Sequence, residues 1–284
     1  MAAAELRQLY WHASFPKSGN TWARLLLGAY KLGVGNINTN NEVTISDNQL
    51  YAYNAVAPIA LADMADGAKL YLRNTALMHI IARAIHTPVI LKTHHANIEV
   101  VEVHLIPEAM TAGAVYMVRD PRDVVISYAE HIGKDIDAGI HAMSQMGHTI
   151  HSESVGLHHY LTSWSNHVRG WLDHGKFPRT IIKYEDMLED TRGEFVKILE
   201  AFGMPVIDRK VDYAIEMTQF DELKRQEKRA GFIEASKNTK FFKRGTSGHW
   251  KDILTDEQVA RIEEDHGEMM QRLGYELVTK AEAA

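Results

Sequence analysis

Short apolar runs alternate along the chain with longer segments in which apolar residues recur at helical spacing. The apolar runs predict buried strands at 88–92, 113–118, 179–184 and the first part of 10–22. The helical spacing predicts helices at 22–30, 68–85, 161–173 and 191–202, with one more that begins at Pro121. Because buried strands that alternate with helices are typical of a parallel sheet covered on both faces, the pattern predicts a three-layer α/β fold.

Three other segments break this alternation. Residues 33–48 are rich in Asn and Gly and predict a loop. Residues 131–159 are irregular and rich in histidine, which predicts an insertion that covers a substrate as a lid. The chain beyond residue 203 is mostly helical in pattern, with a loop at 238–249. No internal repeat or Pro/Gly linker divides the sequence, so we expect residues 1–284 to form a single domain.

Polar and basic residues follow three of the predicted strands. They are P-K-S at 16–18, K-T-H at 92–94 and R-D-P-R at 119–122. Because ligands bind at the carboxyl ends of parallel strands, we expect the three clusters to converge on one site. In the first cluster a strand turns through small residues into a helix, which suits an anion such as phosphate or sulfate. An ordinary turn capped by Ser18 or Asn20 is the alternative that this stretch leaves open.

Composition narrows the function classes. The sequence has no cysteine, which excludes disulfides, zinc–thiolate sites and thiol nucleophiles and fits a reducing cytoplasm. Its net charge of −6 argues against a general nucleic-acid binder, so any anion site must be a local basic cluster. No apolar run reaches the roughly 18 residues of a membrane span, and we expect neither a signal peptide nor a membrane partner.

Residues 15–22, the turn from the first strand into the first helix, are called the first loop here, and their order disfavours an ATP kinase. The Walker A pattern places its lysine directly after a glycine, as G-x-x-x-x-G-K-S/T, whereas Lys17 precedes Gly19 here. A kinase that uses Lys17 and the 119–122 segment on a P-loop-like fold stays as an alternative, and it predicts dependence on ATP and magnesium. A phosphonucleotide-binding module without catalysis is a second alternative.

Three segments resemble the motifs of the sulfotransferase family. Residues 15–22, F-P-K-S-G-N-T-W, resemble its phosphosulfate-binding loop, Y-P-K-S-G-T-T-W. Residues 118–128, V-R-D-P-R-D-V-V-I-S-Y, resemble its 3′-phosphate segment, R-N-P-K-D-V-x-x-S-Y, and residues 243–251, K-R-G-T-S-G-H-W-K, resemble its late loop, R-K-G-x-x-G-D-W-K. Shorter matches are L-K-T-H at 91–94, Y-E-D-M at 184–187 and T-Q-F at 218–220. All of them follow the family's order and span nearly the whole chain.

The resemblance implies a P-loop-NTPase-like sulfotransferase fold and the donor 3′-phosphoadenosine 5′-phosphosulfate (PAPS), which transfers its sulfuryl group to a hydroxyl or amine. The expected ligands of the 5′-phosphosulfate are Lys17, Ser18, Gly19, Asn20 and Thr21. Those of the 3′-phosphate are Arg119, Ser127, Lys243, Arg244 and Gly245, and those of the adenine are Trp22, Tyr184, Thr218 and Phe220. Two separated cationic clusters agree with a donor that carries two anionic groups.

The resemblance also implies catalytic roles. His94 is the expected general base, Lys17 stabilises the leaving phosphate, and Lys92 supports the same charge. His95 is a rival for the base, although the match to K-T-H favours His94. Sulfuryl transfer is an in-line displacement, in which positioning and electrostatic stabilisation should dominate, as they do in phosphoryl transfer.

The histidines of the predicted lid suggest a metal site, but none of them forms a His-Glu-x-x-His pattern. They are His131, His141, His148, His151, His158 and His159. We therefore expect no metal, a small-molecule acceptor of undetermined identity, and no nucleic-acid partner. The family's dimer motif, K-x-x-x-T-V-x-x-x-E, is matched at Lys251 and Thr255 but not at Asp256 and Ala260, which leaves the oligomeric state open.

Overall fold

The computed structural model describes residues 9–39, 43–85, 87–151, 157–235 and 240–279. The strands are β1 (Leu9–Ser14), β2 (Ile45–Ser46), β3 (Val89–Thr93), β4 (Glu99–Val100), β5 (Val103–His104), β6 (Thr111–Val118), β7 (Thr149–His151), β8 (His158–Tyr160) and β9 (Arg179–Lys183). The helices are α1 (Asn20–Leu32), α2 (Leu50–Val56), α3 (Asp66–Tyr71), α4 (Arg73–Arg83), α5 (Pro121–Ile132), α6 (Ile136–Ser144), α7 (Trp164–Asp173), α8 (Tyr184–Glu189), α9 (Thr191–Ala201), α10 (Asp208–Met217), α11 (Phe220–Ala230), α12 (Trp250–Ile253) and α13 (Asp256–Arg272).

A five-stranded parallel sheet in the order β2-β3-β1-β6-β9 lies at the centre, as the alternating pattern predicts. The registers align the strand ends, since Ala13 pairs with Thr93 and Ser14 pairs with Met117. Lys17, His94 and Arg119 follow β1, β3 and β6, and they therefore emerge at the same edge of the sheet. The convergence of the three polar clusters is confirmed.

Alternate strand residues pack into two different apolar clusters, one on each face of the sheet. Trp11 and Tyr116 lie in a cluster with residues of α2, α4, α5, α7 and α13. Val115 and Met117 lie in a second cluster with residues of α1, α9 and α10. Because side chains alternate between the two faces of a strand, this division is what a sheet buried on both sides requires. The predicted three-layer α/β architecture is confirmed.

The structure differs from the predicted elements in three places. Residues 33–48, predicted as a loop, contain β2, an edge strand of two residues that is too short to produce a pattern. The helix predicted at 68–85 is two helices, α3 and α4, which meet at Leu72. The predicted lid, 131–159, contains α6 and the antiparallel β7–β8 pair. Residues 152–156 of that segment, and 238–239 of the loop predicted at 238–249, lie outside the described residues.

Thr255 has a structural role. Its hydroxyl accepts a hydrogen bond from the backbone N–H of Gln258, and the Gln258 side chain accepts one from the backbone of Thr255. This capping box starts α13. Among the described helices, none is long and apolar enough to cross a membrane.

Buried histidines make the fold sensitive to acid. Burial lowers the pKa of His12 to about 3, with Arg24 and Lys92 acting in the same direction, and burial lowers that of His167 to about 3 and that of His266 to about 4. These groups are neutral in the folded protein, but they bind protons when the chain unfolds below pH 6.5. Stability is therefore lost as the pH falls from 6.5 towards the folded pKa values, by about 1.4 kcal/mol per pH unit for each histidine.

We expect His12→Phe to make the free energy of unfolding less dependent on pH, by about 1.4 kcal/mol per pH unit between about pH 4 and pH 6. Phenylalanine keeps a ring of similar shape next to Phe202 but binds no proton. Urea denaturation at a series of pH values measures the slope. His104→Gln is the matched control, because the side chain of His104 is 70% exposed. A slope for His12→Phe equal to that of the unaltered protein would contradict this account.

Candidate active site

A cavity of about 710 Å³ opens at the carboxyl edge of the sheet. The residues predicted for the site that line it are Lys17, Gly19, Asn20, Thr21, Trp22, Lys92, His94, Arg119, Ser127, Tyr184, Thr218, Phe220, Lys243, Arg244 and Gly245. The exception is Ser18, which is fully buried, has no side-chain hydrogen bond among the described residues and does not line the cavity. The structure therefore brings together residues from nearly the whole length of the chain.

The first loop takes a backbone conformation that few residue types adopt. Lys17 and Gly19 both have positive φ, at 69° and 91°. A Cβ atom at Gly19 would lie 2.6 Å from the ring of Tyr184, so only glycine fits there without displacing that ring. Gly19 is also the N-cap of α1, and no side chain caps the helix. The capping by Ser18 or Asn20 that the alternative predicts is therefore absent. Residues 19–22 at the start of α1 line the cavity, and the amino end of a helix favours an anion.

Lys17 carries its charge into a partly dry position. Its Nζ lies 4.8 Å from the centre of the Phe241 ring. Burial lowers the pKa of Lys17, and the charges of Glu130 and Glu234 oppose that effect. A cation whose pKa is lowered by lost hydration gains from the arrival of an anion, because the anion replaces the missing water. The position of the Lys17 ammonium therefore suits a group that binds a phosphate.

Arg119 lies where the late loop docks against the start of α5. Its guanidinium carbon is 4.4 Å from the centre of the Tyr184 ring, and its Nη2 donates to the carbonyl of Thr246 at 3.2 Å. Its Nε is buried and has no hydrogen-bond partner among the described residues. The Asp123 carboxylate accepts from the backbone N–H of Gly248 at 2.6 Å, which holds the late loop in place. Arg119 is thus fixed in place and retains an unused donor.

Aromatic side chains form one wall of the cavity. The Trp22 indole N–H donates to the carbonyl of Thr218 at 3.1 Å, and its ring meets that of Tyr184 edge to face at 6.0 Å. Gly245 has positive φ and lies so close to Phe220 that a Cβ there would be 2.3 Å from the ring. The three predicted adenine-pocket rings therefore lie beside the first loop and the late loop.

His94 presents one nitrogen to the cavity. Its Nδ1 lies 2.9 Å from the carbonyl oxygen of Ser14, which can only accept, so Nδ1 carries the proton. The lone pair is then on Nε2. Burial lowers the pKa of His94 well below its usual value, and the charges of Lys92 and His159 add to the effect, while the bond to Ser14 opposes it. The imidazole is therefore neutral and in the tautomer that a general base needs.

A second histidine supports the backbone at His94. Nε2 of His167 lies 3.2 Å from the carbonyl of His94, and its Nδ1 lies 2.9 Å from the hydroxyl of Tyr116. The carbonyl must accept, so His167 donates from Nε2 and accepts from Tyr116. These two hydrogen bonds connect the backbone turn after β3, through His167, to Tyr116 on β6 of the sheet and hold that turn in position.

His95, the rival for the base, points away from the cavity. Its Nδ1 accepts the backbone N–H of Tyr160 at 3.1 Å, so its proton is on Nε2, which lies 3.7 Å from Oδ2 of Asp47. Burial alone would raise the pKa of Asp47, but the Arg73 guanidinium at 2.7 Å and the hydroxyl of Thr93 hold it below its usual value. The Nε2 N–H has no hydrogen-bond partner among the described residues, and the one ring hydrogen bond of His95 there is the one that Nδ1 accepts from the backbone of Tyr160, so its contacts are structural.

Asp47, His95 and His159 have ligand atoms within 4.8 Å of one another, which is the grouping of a possible metal site. A metal-bound histidine normally donates its second N–H to an acceptor. His95 instead receives an N–H at its second nitrogen and keeps its proton on the nitrogen that a metal would need. Arg73 adds a positive charge 2.7 Å from the carboxylate. The contacts favour a hydrogen-bonded cluster around an ionised Asp47.

Several residues that line the cavity were not predicted from sequence, among them Glu130, Glu234 and Phe241, whereas His159 belongs to the predicted lid. Glu130 pairs with Lys243 at 2.8 Å, and Glu234 pairs with Arg24 at 2.8 Å. Glu130 lies one helical turn after Ser127, so the sequence could have placed it on the same face of the helix and beside the site. The others come from segments without a recognisable motif.

A family model for the sulfotransferase domain matches residues 10–274. The chain belongs to the sulfotransferase family. The first loop, the Arg119 segment and the late loop, which carry the motif resemblance, all lie within the matched residues. The family assignment made from those motifs is confirmed.

Curated relatives of this sulfotransferase-family protein are distant. It is 26% identical over 204 residues to sulfotransferase 1A1 of Canis lupus familiaris, a match that covers 68% of this chain and 65% of the relative. It is 26% identical over 186 residues to 3-alpha-hydroxysteroid sulfotransferase of Cavia porcellus, covering 59% of this chain and 60% of the relative. The matches thus span less than two thirds of either relative's length.

Solved structures share the fold. Retinol dehydratase in complex with androsterone and the inactive cofactor PAP is similar with a TM-score of 0.62 and 20% identity, over 92% of this chain and 80% of that one. Mouse sulfotransferase SULT7A1 complexed with PAP is similar with a TM-score of 0.56 and 20% identity, over 94% and 86% of the two chains. At this identity the similarity shows a common fold.

Proposed function

We propose that the protein transfers the sulfuryl group of PAPS to a hydroxyl or amine of a small-molecule acceptor. The observation that carries the proposal is the cavity itself, in which two cationic clusters, an aromatic wall and a neutral histidine meet at one edge of the sheet. The family assignment supports the same chemistry. Complexes of two structural neighbours with PAP, the desulfated donor, support the identity of the nucleotide.

The donor is held at both of its anionic ends. Lys17, Thr21 and the amino end of α1 bind the 5′ group, and Arg119 with Lys243 binds the 3′-phosphate. Binding of the phosphate requires Lys243 to exchange its partner Glu130, an exposed ion pair that contributes little stability. Trp22, Tyr184 and Phe220 enclose the adenine. Ser18 does not reach the cavity, so its hydroxyl is left out of this set.

The reaction is a direct displacement at sulfur. Nε2 of His94 takes the proton of the acceptor as its oxygen or nitrogen forms the bond to sulfur. The bond between sulfur and the bridging oxygen of the 5′-phosphate breaks, and the electron pair leaves on that oxygen. Lys17, with Lys92 nearby, stabilises the negative charge that develops there. PAP and the sulfated acceptor are the products.

Discrimination between PAP and AMP tests the donor site, because AMP lacks the 3′-phosphate. We expect the protein to bind PAP more tightly than AMP, and Arg119→Ala to reduce that preference by about 10- to 150-fold, the range for a hydrogen bond to a charged group. Isothermal titration calorimetry measures both constants. Arg169→Ala is the control, since Arg169 pairs with the exposed Glu268 outside the cavity. An unchanged ratio of PAP to AMP affinity in Arg119→Ala would refute the assignment.

A further inference from the structure

A carboxylate lies inside the proposed donor site. Oε2 of Glu234 accepts the hydroxyl of Thr21 at 3.1 Å, and Oε1 accepts from Nη1 of Arg24 at 2.8 Å. Thr21 belongs to the first loop and lines the cavity. Arg24 lies behind it on α1, is 3% exposed and does not itself line the cavity, whereas its partner Glu234 does. Glu234 comes from a segment 210 residues later in the chain, just after α11. One acidic side chain therefore bridges two donors of the anion-binding loop.

The surroundings of Glu234 are cationic. Burial alone would raise its pKa, but the charges of Arg24 and Lys92 and its hydrogen bonds hold the pKa below the usual value. The carboxylate in turn raises the pKa of Lys17 and Lys92 against the effect of their burial. Glu234 is thus ionised and supplies negative charge to the cations that the donor would meet.

A phosphate and a carboxylate can accept the same two hydrogen bonds, one from Thr21 and one from Arg24. Each offers two oxygens to a hydroxyl and a guanidinium at charge-assisted hydrogen-bond distance. Arg24 is held in place by its own Nε, which donates to the hydroxyl of Thr44 at 2.8 Å, so the guanidinium is oriented independently of Glu234. Two anions in contact with the same donors would repel each other strongly in a poorly hydrated site.

We propose that Arg24 is a further donor-binding residue, and that Glu234 occupies the place of the donor's anionic 5′ group until the donor displaces it. The inference rests on the proposed function, since it takes a nucleotide with a 5′-phosphate as the ligand. It extends the site beyond the motif of residues 15–22 to a side chain that the motif does not include. Donor binding and the Glu234 contact exclude each other.

Binding of PAP to four forms of the full chain tests the proposal: the unaltered protein, Glu234→Gln, Arg24→Gln and the double variant. Glu234→Gln keeps a hydrogen-bonding side chain of the same size but removes the charge, so we expect PAP to bind about tenfold more tightly or better. Adding Arg24→Gln to Glu234→Gln should weaken PAP binding by about tenfold or more, because the donor then loses a charged partner. Glu268→Gln is the control, an exposed carboxylate on α13.

The double variant distinguishes direct contact between Arg24 and the donor from a role of Arg24 in neutralising the charge of Glu234. If Arg24 serves merely to neutralise Glu234, its removal changes nothing once Glu234 is uncharged, and the double variant binds PAP as tightly as Glu234→Gln does. That result, or a Glu234→Gln variant that binds PAP no more tightly than the unaltered protein, overturns the proposal. If the unaltered protein binds no PAP, the proposed function fails and this inference falls with it. Circular dichroism at each titration temperature confirms that the variants are folded.

Discussion

We expect replacement of His94 with alanine to lower kcat for sulfuryl transfer by about 10²- to 10⁴-fold, the usual contribution of a general base. The affinity for PAP stays nearly the same, because His94 faces the acceptor and does not contact either phosphate group in the proposed complex. Calorimetry with PAP and a transfer assay on the same preparation measure the two quantities. The combination of lost turnover and retained binding is the expected signature of a base.

His94→Asn separates the base from its supporting bond. The asparagine amide reaches the position of Nδ1 and can still donate to the carbonyl of Ser14, whereas nothing replaces Nε2. We therefore expect His94→Asn to be as slow as His94→Ala. His141→Ala, at an exposed position on α6, should have normal turnover. Full activity in His94→Asn would show that the Ser14 bond matters and that proton abstraction by Nε2 does not.

We expect Lys17→Met to lower kcat by about 10²- to 10³-fold, the cost of removing one group that stabilises transition-state charge. Methionine keeps a flexible apolar stem against Phe241 and loses the ammonium. Lysine and methionine both carry a Cβ, so the positive φ of 69° at this position affects them alike. PAP binding should weaken less than kcat falls, because the charge on the leaving oxygen grows as the bond to sulfur breaks.

Lys251→Met is the matched control for this variant. Lys251 is exposed, lies 5.7 Å from the centre of the Trp250 ring and does not line the cavity. Single-turnover rates at saturating donor, measured for both variants, give the comparison. If Lys17→Met and Lys251→Met turn over at the same rate, Lys17 does not stabilise the leaving group.

The sequence predicts those parts of the fold that depend on local pattern. The strands β1, β3, β6 and β9 are apolar runs with polar ends, so their positions and their shared edge follow from burial and strand direction. The two-residue strand β2 has no period to detect. The break at Leu72 lies within a continuous helical apolar pattern, although Leu70 of α3 packs in one apolar cluster and Leu77 and Ile80 of α4 pack in another. The apolar pattern indicates which side of a helix is buried, but it carries little information on where the helix is interrupted.

The same contrast between local sequence pattern and long-range packing applies to the residues of the candidate site. Residues in motifs, such as His94 and Arg119, were predicted because their neighbours in sequence are also their neighbours in the site. The Glu234–Arg24 pair joins segments 210 residues apart and has no local signature. Ser18 was predicted as a ligand from its place in the loop, and the loop pattern gave no sign that its hydroxyl would be buried without a hydrogen-bond partner among the described residues. Long-range packing decides such orientations.

Transfer from PAPS labelled with ³⁵S tests the proposed reaction most directly, measured against a panel of phenols, alcohols, amines and sugars, with ATP labelled at the γ-phosphate in parallel. We expect label from PAPS to appear in at least one acceptor, this transfer to persist in the presence of EDTA, and His94→Asn to abolish most of it. Transfer of phosphate from ATP in a magnesium-dependent reaction, with none of sulfate from PAPS, would contradict the proposed reaction.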